Sequence, residues 1–225
     1  MMLVSLILLM LVAGLISLAI GDRLPTFTRW TCVAANVVGL AMTIQLSAAP
    51  GVASNGFQHE MRSPWIPSLG ISFHVGVDGM SLMLLALTFV LGLIALGASW
   101  NEIKLRVGFF HFNLMWVLAG VVGVFVSLDL LLFYFFWELM LIPMYLLIGI
   151  WGHENRIYAA TKFFLFTQLP SLLMLASMVA MAILNVPKAG GPSFDLLDLK
   201  QLEVTPELSL LLMLGFFAAF AVKLP

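Results

Sequence analysis

The stretch "LLLFYFFWELMLIPMYLLIGIW", Leu130 to Trp151, decides how this chain folds. Crossing the roughly 30 Å hydrocarbon core of a bilayer takes about 20 mostly apolar residues in a helix rising 1.5 Å per residue. This run meets that requirement. Its one acidic side chain is Glu138. Placing such a group at the centre of a span costs roughly 2.5–3.5 kcal/mol on insertion scales. The carboxylate therefore needs a physical reason.

Composition places the rest of the chain in the same setting. Of 225 residues, 62% are hydrophobic and 9% charged, with a formal net charge of −1. The mean hydropathy is +1.11. Soluble domains run to about 45–50% apolar and about 25% charged, so an integral membrane protein is indicated. A near-neutral chain without a basic tract gives no electrostatic case for nucleic acid. The single cysteine, Cys32, rules out a disulfide framework or a cysteine metal site within the chain. His59, His74, His111 and His153 share no metal-ligand spacing on a helix face and read as loop or helix-end residues.

Six segments are long and apolar enough to span: about Leu3–Ile20, Trp30–Leu46, Met80–Ala98, Phe109–Leu128, Leu130–Trp151 and Phe163–Leu184. A seventh starts near Leu208 and is still apolar at Pro225. The expected fold is an all-α polytopic helix bundle. The first span lacks a basic flank before it, since the first Lys or Arg is Arg23, so it reads as a retained helix rather than a signal peptide. Numbering the loops alternately puts Arg23, Arg29, Lys104, Arg106, Arg156 and Lys162 on one side, and Arg62, Lys188 and Lys200 on the other. The positive-inside rule then expects the N-terminus outside the cytoplasm.

The longer loops carry local signals. Pro50 to Gly70 is rich in Pro, Gly, Ser and Asn and reads as irregular. "ISFHVGV" alternates as a strand does, and Asp78 stands where it can cap the helix that follows. "TPE" at Thr205–Glu207 puts proline in a first helical turn and an acid at the positive end of the dipole, a start signal for the seventh span. Trp100, Trp116, Trp137 and Trp151 read as an aromatic belt near span ends. Asn36, Gln45, Thr88, Ser127, Tyr134, Thr167 and Gln168 suit either water paths or hydrogen bonds between helices.

Sorting the charges by depth leaves two inside. Asp129 falls at a short turn between spans, where water reaches it, and Lys162 can snorkel from its helix end. Glu138 lies about 13 Å past Asp129, and Lys223 about 24 Å past Glu207. Together they cost on the order of 5–7 kcal/mol to insert. Pro143 and Pro225 follow them closely and open the helix ladder. Desolvation disfavours an ammonium and a nearby carboxylate favours it, so a Glu/Lys pair at adjustable distance can load and release a proton. An inert pair fixing helix register fits the same residues.

At "FYFFWELMLIPMYLLIGIWG", with "DGMSLMLL" and "GFFHFNLMWVLAGVVGVFVSLDLLLF" before it and "TKFFLFTQ" and "LLMLGFFAAFAVKLP" after it, the sequence resembles a known family. That family is the antiporter-like subunit M (chain 4) type of proton-pumping NADH:quinone oxidoreductase, respiratory complex I. The resemblance is close from Gly70 onward and weaker in the first two spans. It implies a fold of about fourteen helices with two inverted five-helix repeats, each containing a broken helix. Residues 1–108 then form an N-terminal three-helix part with an extracytoplasmic loop at 47–79, and 109–225 begin the first repeat. The resemblance assigns proton translocation to Glu138 and Lys223, in a subunit of a bacterial inner membrane complex beside other membrane-arm subunits. NADH, flavin, iron–sulfur clusters and quinone are expected on other subunits, for this chain has no dinucleotide fingerprint and one cysteine. Against that resemblance, a chain ending after the lysine–proline motif is expected to be either a fragment or a truncated form whose remaining repeat is a separate piece. Pro170 departs from the small residue expected there. A component of a multisubunit sodium/proton antiporter or of a membrane-bound hydrogenase fits the same two residues, and so does a non-transporting scaffold.

Overall fold

The computed structural model describes residues 1–48, 56–186 and 191–224. Helices are α1 (Met2–Ile20), α2 (Pro25–Ala48), α3 (Gly79–Ser99), α4 (Val107–Val126), α5 (Leu130–Leu139) and α6 (Leu141–Trp151). They continue as α7 (Arg156–Leu184), the short α8 (Leu196–Leu199) and α9 (Pro206–Lys223). Strands β1 (Gln58–Ile66) and β2 (Ile71–Val77) form a two-stranded sheet between α2 and α3. Among the described residues, seven spans are long and apolar enough to cross a membrane, α5 and α6 together making one of them. This is an all-α multi-pass membrane architecture with one small hairpin.

The chain divides into two compact units. The first comprises Met1–Glu60, Gly76–Val126 and Phe136–Leu147. Here α1 packs along α4, while α2 packs on α1 and α3. Small residues allow the approach: a Cβ on Gly21 would stand 2.2 Å from the Gly108 Cα, and one on Gly39 2.5 Å from the Phe89 ring. That is the usual device in lipid, where helices associate by close packing rather than by the hydrophobic effect. The outward stripes of α1 and α3, such as Leu8, Leu15, Met83 and Leu91, are exposed and suit lipid. Asp78 caps α3, accepting from Ser81 N at 2.7 Å, as the sequence led us to expect. That hydrogen bond holds the Asp78 carboxyl below its ordinary value, against a smaller opposing effect of burial.

The second unit comprises Met61–Val75, Ser127–Phe135 and Ile148–Pro225. In it α9 lies along α7. A Cβ on Gly215 of α9 would meet Ser177 Oγ of α7 at 2.1 Å. Thr205 Oγ1 accepts from Leu208 N at the start of α9, with Pro206 in the first turn, so the "TPE" signal starts this helix.

Several expectations change. Residues 58–66, expected to be irregular, form β1 despite a sequence without alternation; pairing with β2 determines the conformation. Pro64 is tolerated because β1 is an edge strand. Part of that loop, 49–55, lies outside the described residues, as does Lys188, which entered the orientation argument. Helix α7 starts at Arg156, well before the apolar run, because hydropathy marks the lipid-facing part of a helix and not its polar first turns. Pro170 sits inside α7 without interrupting it. Trp116 is half-buried beside Gly14, midway along α4 rather than near a span end. His111 is fully buried in α4, with Nδ1 2.8 Å from Val107 O. Asn36, Thr88 and Thr167 bond back to carbonyls one turn earlier in their own helices, and Asn36 alone of these also reaches another helix, at Met115 Sδ.

Candidate functional site

Glu138 sits at the end of α5, half-buried, between the buried Trp137 and the turn at Met140. The cause of that turn is local. Pro143 has no N–H to give the Leu139 carbonyl, so the ladder opens directly after Glu138. It resumes when Met144 N donates to Met140 O at 3.1 Å. Two glycines of α4 let the broken region pack closely. A Cβ on Gly123 would stand 2.3 Å from the Phe136 ring, and one on Gly120 would stand 2.4 Å from Met140 Cγ. A carboxylate thus stands beside a backbone carbonyl that lacks its helical N–H donor, that of residue 143. Interrupted membrane helices use that arrangement to handle ions.

Lys223 is the last residue of α9 and is half-buried. A cation there complements the negative end of the helix dipole. Leu224 leaves the helix in an extended conformation, φ −72° and ψ 134°, as a residue before proline tends to. Pro225 itself lies outside the described residues. Glu138 belongs to the first unit and Lys223 to the second.

A second polar cluster escaped the reading of the sequence. Asp129, expected to meet water, is 0% exposed. Its Oδ2 accepts from Ser72 N at 2.9 Å and Ser72 Oγ at 3.1 Å, and its Oδ1 accepts from Leu131 N at 3.0 Å and Leu132 N at 3.1 Å. One carboxylate thus caps α5 and ties it to β2. His74, read as a loop residue, is buried in β2 with Nδ1 2.7 Å from Asp195 Oδ2. Arg62 Nη2 lies 3.2 Å from the same oxygen, and Leu197 N donates to Asp195 Oδ1 at 2.9 Å. Burial alone would push the Asp195 carboxyl up, but the His74 hydrogen bond, the Leu197 N–H and the charges of His74 and Arg62 hold it below the ordinary value. Asp195 therefore accepts, and His74 Nδ1 carries the shared hydrogen. A polar residue in a strand between two spans was the available signal. Its partner lies 121 residues away, beyond any local pattern.

Lys162 stands 5.8 Å from the rings of both Tyr158 and Phe166 on α7, a snorkelling cation over aromatic faces. Among the described residues, no group of three or more His, Cys, Asp or Glu is gathered as for a metal ion.

Comparison with known proteins bears on these positions. Residues 127–225 match the family described as NADH:quinone oxidoreductase/Mrp antiporter, transmembrane. NADH-quinone oxidoreductase subunit M of Pseudomonas aeruginosa is 45% identical over 214 residues, covering 89% of this chain and 42% of the relative. Subunit M of Escherichia coli K12 is 45% identical over 208 residues, covering 88% of this chain and 41% of the relative. This chain thus spans about two fifths of the length of these curated relatives. Among solved structures, a chain of respiratory complex I from Thermus thermophilus aligns over 100% of this chain and 44% of its own length, with a TM-score of 0.80 and 30% identity. A chain of the Mrp complex from Dietzia sp. DQ12-45-1b aligns over 99% of this chain and 24% of its own, with a TM-score of 0.80 and 15% identity, which speaks to fold alone. The helix carrying Glu138 and the helix carrying Lys223 both lie within residues 127–225, which match that membrane family, and the chain is similar to subunit M along most of its length.

Proposed function

We propose that this chain is part of a membrane-arm, proton-translocating subunit of NADH:quinone oxidoreductase, in which electron transfer from NADH to quinone on other subunits drives protons past Glu138 and Lys223. The carrying observation is a carboxylate inside a membrane span at a helix break, in a chain 45% identical to subunit M relatives. Glu138 takes up and passes on a proton, and Lys223 holds or releases one according to how the nearby charge is disposed. The chain acts as a translocase component of an oxidoreductase and carries no redox cofactor of its own. Its partners are the other membrane-arm subunits and the lipid bilayer, without nucleic acid. It sits in a bacterial inner membrane with its N-terminus outside the cytoplasm. Residues 1–108 act as an N-terminal three-helix part, and 109–225 open the first antiporter-like repeat.

The test is Glu138→Gln in the complete complex. The expected result is a severe loss of NADH-driven proton pumping with the complex still assembled. Unchanged pumping would refute the assignment. A second reading, a component of a sodium/proton antiporter, is favoured by the breadth of the matched family and by the fold shared with the Mrp complex chain. Vesicles containing the complete assembly separate the two. Ion movement that requires NADH oxidation supports the first reading, and sodium/proton exchange without it supports the second.

A further inference from the structure

Three parts of the sequence far from one another meet in the second unit: the β1–β2 hairpin, the junction before α5, and the segment entering α8. The junction behaves as a middle strand. Leu128 N donates to His74 O at 2.8 Å on one flank, and Leu196 N donates to Leu128 O at 2.8 Å on the other. Leu130 N donates to Phe194 O at 2.8 Å, and bridges join Val75 with Ser127 and Asp129 with Asp195. Side chains lock both flanks. Asp129 holds Ser72 of β2, while His74 of β2 reaches across to Asp195 at 2.7 Å, with Arg62 of β1 at 3.2 Å from the same carboxylate.

Buried charge is a costly way to close a loop. Replacing a buried ion pair by well-packed apolar groups is often neutral or stabilising by about 1–4 kcal/mol, and what such pairs supply in the best-attested cases is register. Here the register belongs to the first turn of α5, whose N–H groups at Leu131 and Leu132 end on Asp129. A slip of the junction against either flank would move those groups off their acceptor. The same helix carries Glu138 at its other end.

We propose that His74, Asp195 and Arg62 form a clasp that fixes the start of α5 and through that helix positions Glu138 for proton transfer. His74 and Asp195 are positioning residues, acting through the helix and not on the proton. This inference rests on the proton-translocating role proposed for Glu138.

The test uses the full-length subunit in its complete membrane complex, with Asp195→Asn, His74→Asn and Arg62→Gln made singly. Asparagine at 195 keeps the shape and removes the charge. The Arg62 side chain is 54% exposed, so its replacement opens no buried cavity. Protons moved per NADH oxidised are measured in vesicles, beside the rate of electron transfer to quinone and hydrogen exchange at the amides of Leu131 and Leu132. Glu138→Gln serves as the reference. The clasp predicts electron transfer near the wild-type rate, a reduced proton yield in all three variants, smallest in Arg62→Gln, and faster exchange at the two amides. Full proton yield in the clasp variants beside a depleted yield in Glu138→Gln overturns the clasp and leaves the role of Glu138 standing. Full yield in Glu138→Gln overturns both. If the buried variants fail to assemble, Arg62→Gln decides, and an unchanged proton yield in it overturns the clasp.

Discussion

Asp129 and Glu138 are two acids of one stretch of chain in different surroundings. Asp129 is wholly buried, and its oxygens take four hydrogen bonds, from Ser72 N, Ser72 Oγ, Leu131 N and Leu132 N. Glu138 is half-buried within the span, next to a ladder opened by Pro143 and flanked by Gly120 and Gly123. Depth along the sequence ranked them the wrong way round for burial. A carboxylate saturated by backbone and hydroxyl donors at a helix start is an anchor, since moving it strands every partner. In the proposed function, the carboxylate beside the break is the one that exchanges a proton.

From that contrast, Asp129→Ala has the largest expected effect on stability. It removes a helix cap worth about 1 kcal/mol and leaves Ser72 donors buried without an acceptor at roughly 1–3 kcal/mol each. The assembled subunit should be largely lost, as quantified in membranes by immunodetection. A normal level would mean that the four bonds are not what holds α5. Gly123→Ala comes next. Its methyl would stand 2.3 Å from the Phe136 ring, and overpacking of this kind typically costs about 1–3 kcal/mol. Thermal unfolding in detergent should show a lower midpoint, and an unchanged one would mean that α4 does not press on the break.

The clasp adds a pH dependence. Because the Asp195 carboxyl is held below its ordinary value, its stabilisation is fully present above the ordinary carboxylate range and fades as pH falls through the lower, folded value. The stability gap between wild type and Asp195→Asn should therefore be constant near neutrality and narrow in acid. A gap that widened in acid would contradict the pairing. The smallest effect expected is that of Asp78→Ala, a loss of about 1 kcal/mol or less from α3, read as a slightly lower unfolding midpoint with activity retained.

The membrane part of this architecture was legible because each span is a long apolar run whose ends are marked locally. Asp78 and "TPE" announce helix starts by chemistry confined to a few residues, and both behave as read. What could not be read depends on distant partners. Strand β1 has no alternation and exists because β2 lies beside it. His74 looks like a loop histidine until Asp195, 121 residues away, is brought to 2.7 Å. Two prolines within spans give opposite outcomes as well, a break before Pro143 and a continuous helix through Pro170. Proline removes one hydrogen bond from the ladder in both cases, and the surrounding packing decides whether the helix opens.

The most direct test sets the two acids side by side as amides of the same shape, Asp129→Asn and Glu138→Gln, in the complete complex. Assembly and protons moved per NADH oxidised are measured on the same membranes. Asp129→Asn is expected to lower assembly, while Glu138→Gln assembles normally and translocates few or no protons. An assembled Glu138→Gln complex with the wild-type proton yield would contradict it.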